Sequence, residues 1–365
     1  MACGSSNRLF FLKFGNFAMP RQIVAAILIS FFGVARLPCS ADAAIITFGS
    51  GENEFNIEFA EIANPGNSGD GDGNPVAAGQ VAYSYRIAKH ETSWDMVNKF
   101  NASQTLEITH DSRDAGKPST RIDWNEAARF VNWLNTSEGY QAAYRFDTDE
   151  LDDNLTVWDP SEAWQSGGTN LFRHKNAKYW LPSVDEWHKA AYYDPNTETY
   201  SDYPTLSGFA PYAVSSGTTA NTAVYSQSFL SGPADVTESG GLSPYGVMGL
   251  GGNAFEWTET SSDLQNSSGD SERIFRGGRW NSNLSLLRSS SAFQGNPIAT
   301  VTGLGFRVAS VTNFASSSNS SVAAVPEPST LAIWSFISVS ILLHRRRGIS
   351  KARRVSRSAP GVTQA

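Results

Sequence analysis

Two adjacent glycines, Gly251 and Gly252, precede Asn253 in the stretch SPYGVMGLGGNAFEWTET at residues 243–260, and the acid Glu256 follows between the aromatics Phe255 and Trp257. Glycine alone adopts left-handed backbone or close backbone approach without steric cost, so a sharp turn with exposed carbonyl oxygens is expected here. A carboxylate set among aromatics needs a cation, because burying a lone charge costs many kcal/mol. Carbonyls around a tight turn plus one carboxylate form a hard oxygen shell, which suits calcium. An arginine, Arg276 or Arg307, is the alternative partner.

Little other chemistry gathers along the chain. The five histidines are scattered and the serines between 282 and 291 have no histidine close in sequence, so no Ser-His-Asp triad can be asserted. His188 has no second histidine at ligand spacing and is expected to be a surface or packing residue rather than a zinc ligand. Asp70, Asp72 and Asn74 imitate the start of a calcium loop. However, Pro75 stands where its glycine should be and Val81 where its terminal acid should be, so a solvated turn is expected.

The chain ends carry addresses. Arg8, Lys13 and Arg21 precede the apolar run IVAAILISFFGV, and Ala41-Asp42-Ala43 supplies small residues for a peptidase, which reads as a secretory leader over 1–43 cut after Ala43. Cys3 and Cys39 both fall in this leader, so the mature body has no thiol. At the far end a Ser/Ala linker (312–325) leads to Pro326-Glu327-Pro328, the apolar run 331–343 and Arg345, Arg346 and Arg347, followed by a basic tail over 348–365. An apolar segment closed by a basic cluster reads as an anchor with a cytoplasmic tail, although it is shorter than the ~20 residues of a stable span. The tail over 326–347 resembles the PEP-CTERM sorting signal of Gram-negative bacteria. That resemblance implies exosortase-type machinery as a partner, transient membrane association, and a destination in the periplasm, cell surface or extracellular matrix.

Between Ala44 and Val325 there are 17 basic against 33 acidic residues, a formal charge of −16. Such a surface repels phosphate backbones and excludes nucleic acid as a partner. The 10 Trp, 21 Phe and 12 Tyr of the 365 residues are ample material for a sizeable core.

The elements that must position these groups are legible in part. Residues 44–80 start with alternating apolar positions, an edge strand or two, and run into a Gly/Asp/Asn loop. VAYSYRIAKHE alternates as a strand from Val81. Ser93 then caps the helix WDMVNKFNAS, with Trp94, Val97 and Phe100 toward the core. Asp123 with Glu126, and Ser183 with Glu186, are capping boxes for two more helices, the first buried through Ala127, Val131 and Leu134 and ended by Gly139. The forty residues after Gly139 read as an insertion or long loop covering the surface, and residues 196–241 as turn-rich.

Five blocks now fall in order: YRIAKHETSWDMVNKFNA, DWNEAARFVNWLN, YWLPSVDEWHKAAYYDP, GVMGLGGNAFEW with RIFRGGRW, and GLGFRVAS. Over residues 81–311 the chain resembles the formylglycine-generating enzymes, the sulfatase-modifying factors. The resemblance implies a single α+β domain related to C-type lectins, loop-rich, with short strands and about three helices. It implies a calcium site on the carbonyls of Gly249, Gly252 and Ala254 with the Glu256 side chain, and a second calcium at Asn221. The iron-dependent sulfoxide synthases of the same fold carry a helix with HxxxHxE, which does not occur here. The family's oxidases hold copper on two cysteines just beyond the RGG motif, and an ungapped count places Ser282 and Leu287 there. Neither replaces a thiolate on soft Cu(I), so copper is not expected. The expectation is a non-catalytic, calcium-stabilised surface module binding a glycan or another exported protein, with Asn281, Ser282, Asn283 and Arg288 beside its ligand pocket. The alternative is an oxidase of the formylglycine-generating type or another enzyme on the same fold. Arg276, Arg279 and Arg307 are expected as internal ties, with Gly277, Gly278 and Gly305 allowing close strand approach.

Overall fold

Each of the three helices begins where a short polar side chain can take up its first free N–H groups. The structure, a computed structural model, describes residues 44–148 and 155–312. The expected leader ending at Ala43, the linker beyond Thr312, the Pro326-Glu327-Pro328 signal and the basic tail lie outside the described residues. Helix α1 spans Trp94–Ala102, and the Ser93 hydroxyl accepts from the Met96 N–H at 3.3 Å. Helix α2 spans Trp124–Ser137 with a complete capping box: Asp123 accepts from the Glu126 N–H at 2.8 Å, and Glu126 accepts from the Asp123 N–H at 3.0 Å. Helix α3, Val184–Tyr192, repeats the device with Ser183 and Glu186 at 3.1 and 2.6 Å. Val97 and Phe100 of α1 and Ala127, Val131 and Leu134 of α2 are buried, as their spacing predicts. Trp94 is only half-buried.

The first sheet has five strands in the spatial order Ala44–Phe48, Phe55–Ile62, Tyr85–Ala88, Ala309–Val311, Tyr179–Trp180, all neighbours antiparallel. The last strand in sequence among the described residues thus lies inside the sheet, between two strands made much earlier. A second sheet orders Phe293–Gly295, Arg273–Arg276, Phe255–Ser261 and Leu304–Gly305, with the final pair parallel. All seven residues of Phe255–Ser261 are buried. Five tryptophans, Trp124, Trp180, Trp187, Trp257 and Trp280, fill the interior together with four arginines, Arg173, Arg273, Arg276 and Arg307.

The architecture is α+β and loop-rich, with three α-helices among the described residues. One expectation fails. The stretch after Gly139 is no surface cover, for it folds into two small hairpins and the strand Tyr179–Trp180, and it places Tyr144, Phe172 and Arg173 in the core. Its Asp- and Thr-rich composition concealed this, because the buried residues are single positions between exposed turns. Removing the α2 cap through Asp123→Ala is expected to lower unfolding free energy by about 1–2 kcal/mol in urea titration, and a loss indistinguishable from zero would show that the cap is dispensable.

Candidate functional site

Glu256 is the second residue of the buried strand Phe255–Ser261, and the parallel register sets it against Gly305, two residues before Arg307. Arg307 forks onto it: Nε donates to Oε2 at 2.6 Å and Nη2 to Oε1 at 2.5 Å. Trp187 of α3 adds its indole N–H to Oε2 at 2.7 Å. The guanidinium spends its other hydrogens on the carbonyls of Ala88, Lys89 and Met248 at 2.9, 3.3 and 2.9 Å. The cation that Glu256 requires therefore comes from within the chain. Arg276, the other candidate, faces Glu256 across the antiparallel pair but donates to the carbonyls of Asn74 and Ser289 and lies 5.4 Å over the Trp187 ring.

This arrangement does not fit calcium at Gly249, Gly252, Ala254 and Glu256. Both carboxylate oxygens are engaged by a fully buried guanidinium, and an ion seated on them would displace it and leave a positive charge unpaired. The glycines serve close packing instead. Gly252 has φ +92°, and any side chain there would run into the Val224 carbonyl. At Asn221 the side chain accepts from the Ser207 N–H at 3.1 Å and the carbonyl from the Tyr212 N–H at 2.9 Å. No group of three or more His, Cys, Asp or Glu side chains suited to a metal gathers among the described residues.

Sequence reasoning missed a second acid at this site. Glu91, just before the Ser93 cap, is buried and accepts from the Asn253 amide at 3.0 Å to each oxygen. Burial, then the charge of Glu256, pushes its pKa up to about 8, against the pull of Arg307 and Asn253. A second buried acid thus lies in the field of the Arg307–Glu256 pair, and burial favours its protonated form. Nothing in the sequence around Glu91 marks it, since its partner lies more than 160 positions away.

Ser282 and Leu287, the two positions the resemblance sets against the copper-holding cysteines, do converge. Gly278, at φ +80°, lies between them: a Cβ there would stand 2.9 Å from Leu287 Cδ1 and 3.5 Å from Ser282 Oγ. Leu287 is fully buried with Tyr203, Ala223 and Tyr225, and the Ser282 hydroxyl accepts from the Arg279 N–H at 2.9 Å. A hydrocarbon and a hydroxyl give copper no soft ligand, so the residues do not fit that metal. The expected pocket residues separate. Ser282 points inward and Asn281 buries a carbonyl oxygen with no hydrogen-bond partner, whereas Asn283 is exposed and Arg288 pairs at the surface with Asp202 at 2.5 Å.

Arg173 is the second feature that sequence reading did not reach. It bridges Glu186 of α3, at 3.1 Å from both terminal nitrogens, and Glu259 of the buried strand, at 2.6 Å from Nη2. Tyr83 and Trp180 also donate to Glu186, and Tyr144 and Asn170 to Glu259. Burial acts to raise Glu186, but Arg173, the Tyr83 hydroxyl and the Ser183 N–H outweigh it and hold it below the usual carboxylate range. Asp70 is likewise no solvated turn. It is buried against His188 on α3 at 2.9 Å, and burial with the nearby Arg276 charge pushes that histidine down to about 4. His188 is thus a packing residue, as expected.

A loop-rich α+β domain, tied by buried arginines and headed by capped helices, defines a formylglycine-generating-enzyme-like protein. The chain belongs to the family described as sulfatase-modifying factor enzyme 1-like domain, whose profile matches residues 72–312. Among solved structures it is similar to Treponema denticola variable protein 1, at 18% identity and a TM-score of 0.52, covering 73% of this chain and 99% of that one. It is also similar to CarF (16% identity, 70% and 99% covered, TM-score 0.46) and to PvdO from Pseudomonas aeruginosa (13%, 73% and 98%, 0.44). No curated protein matches the chain.

Two outcomes test the site. Arg307→Met strands Glu256 and is expected to cost about 3–5 kcal/mol of stability, with part regained in Arg307→Met/Glu256→Gln. Glu91 has a folded-state value above its ordinary 4.5, so folding favours the protonated acid. That contribution is complete below the ordinary value and is lost as pH rises toward 8. The stability difference between the wild type and Glu91→Gln should therefore change by a few kcal/mol between pH 4.5 and 8. A difference that stays flat across this range would contradict the buried acid pair.

Proposed function

We propose that this protein is an exported, non-catalytic member of the sulfatase-modifying factor family, acting as a binding or structural module at the cell surface. The carrying observation is Leu287. Its side chain fills the place beside Gly278 and Ser282 where the family's oxidases need a thiolate, and it does so as part of a hydrophobic cluster. Copper-dependent oxidation of a substrate cysteine has no ligand pair from which to start.

The leader ending at Ala43 and the Pro326-Glu327-Pro328 tail support export and handling by an exosortase-type partner. No described helix is long and apolar enough to cross a membrane. The acidic body supports a glycan or another exported protein as ligand and argues against nucleic acid. At Glu256 the Arg307 guanidinium takes the role that calcium plays in the family resemblance, and at Asn221 backbone N–H groups do, so calcium is a dispensable additive for this chain.

Purified chain incubated with copper, oxygen and a cysteine-containing sulfatase peptide is expected to yield no aldehyde by mass spectrometry. Ser282→Cys/Leu287→Cys should acquire a Cu(I) site that the parent lacks. Melting temperature should be the same in calcium and in chelator. Aldehyde formed by the unmodified chain would overturn the non-catalytic reading, and a calcium-dependent rise in melting temperature would overturn the metal-free one.

A further inference from the structure

A cleft of about 270 Å³ opens between the loop at 75–83, the hairpin turn at 166–170 and the start of α3. A second hollow of about 480 Å³ adjoins it, the two sharing Pro75 and Leu264 at their rims. Joined at these shared rims, the two hollows give one continuous lining from Trp164 to Phe293. Neither hollow includes Asn281, Ser282, Asn283 or Arg288.

Its lining combines aromatic rings with a few polar groups, the combination that fixes the pose of a small polar ligand. Trp164 and Tyr83 line the first hollow and meet edge to face with ring centres 5.3 Å apart. Phe275 and Phe293 line the second and lie stacked at 5.6 Å. At the head of α3, Asp185 accepts the Gly79 N–H on Oδ1 at 2.9 Å and offers Oδ2 as a further acceptor. Thr260 accepts from the Val184 N–H and Ser183 from the Glu186 N–H, each with its own hydroxyl hydrogen left to donate. One strong acceptor, two hydroxyl donors and flanking aromatic rings suit a ligand that is itself rich in hydroxyls with apolar C–H faces.

Charge narrows the choice. Arg173 is the one lysine or arginine among the residues lining the cleft, its guanidinium is already held by the buried Glu186 and Glu259, and Asp185 adds a carboxylate to the lining. Anionic polymers are disfavoured there. The strand bordering the second hollow, Phe293–Gly295, is three residues long and gives an extended peptide little backbone to pair with. We infer that this groove binds a neutral oligosaccharide, one sugar ring seated between Trp164 and Asp185 and the chain continuing past Leu264 toward Phe293. The inference rests on the binding-module reading and names its site and ligand class.

Calorimetric titration of the full chain with neutral hexasaccharides of glucose, mannose and N-acetylglucosamine tests it, with a hexuronate oligomer as anionic control and an extended polar peptide as competitor. At least one neutral hexamer should bind with a Kd below about 1 mM, and the uronate and the peptide should not compete. Trp164→Ala should raise that Kd about tenfold or more. Val76→Trp should do the same by obstruction; Val76 is 80% exposed, so this variant keeps the fold and its melting temperature. Absence of binding by all three neutral hexamers, equal binding of the uronate, displacement by the peptide, or affinity unchanged in both variants would each overturn the proposal. Aldehyde production, by contrast, would sink the non-catalytic reading while leaving a positive sugar titration standing.

Discussion

The Arg307–Glu256 fork is the interaction on which the rest of the structure depends. Removing two full charges from water is costly, and their mutual attraction repays it only when every remaining donor and acceptor is also satisfied. Here the terminal nitrogens of Arg307 find the carbonyls of Ala88, Lys89 and Met248, and Glu256 finds the indole of Trp187. A single ion pair thereby joins the first sheet, the glycine turn, the second sheet and α3. None of these segments could shift by half a turn or one register step without stranding a buried charge.

The same logic recurs around Arg173 and Arg276. Strands in this domain run from two to eight residues among those described, so ladder hydrogen bonds alone fix little of the chain. Long irregular segments must be held by other means, because a buried backbone group without a partner is expensive. Arginine meets this need with five donors in a rigid fork. Arg276 closes the loop at Asn74 onto the segment at Ser289, and Arg173 fastens the hairpin after Gly139 to α3 and to the central buried strand. Buried guanidinium groups occupy much of the place that longer sheets hold in more regular folds.

What the sequence disclosed and what it withheld divide along contact range. Capping boxes at Asp123–Glu126 and Ser183–Glu186 lie within three residues, so each helix start could be read directly, and so could the fold class once five blocks fell in order. That no cysteine follows the RGG motif was plain from counting along the chain. The need of Glu256 for a cation was also legible, because a charge among aromatics demands one, but composition alone could not rank Arg307 above Arg276 or calcium. That ranking depends on the parallel pairing of Phe255 with Leu304. Glu91, Asp70 and Arg173 stayed hidden for the same reason. Glu91 and Asp70 find their partners 162 and 118 positions away, and Arg173 joins Glu186, 13 positions on, to Glu259, 86 positions on, while the local surroundings of all three look like ordinary turns and strand ends.

One topological detail bears on how such a chain reaches its native state. The strand Ala309–Val311 is flanked on both sides within the first sheet, by Tyr85–Ala88 and Tyr179–Trp180. Until those closing residues leave the ribosome, the earlier strands have a gap at their middle and Glu256 has no guanidinium. Contacts of such long sequence separation form slowly, because loop closure must precede the gain from pairing. Until Ala309–Val311 is made, synthesis from the N-terminus leaves this sheet without the strand that joins its two parts.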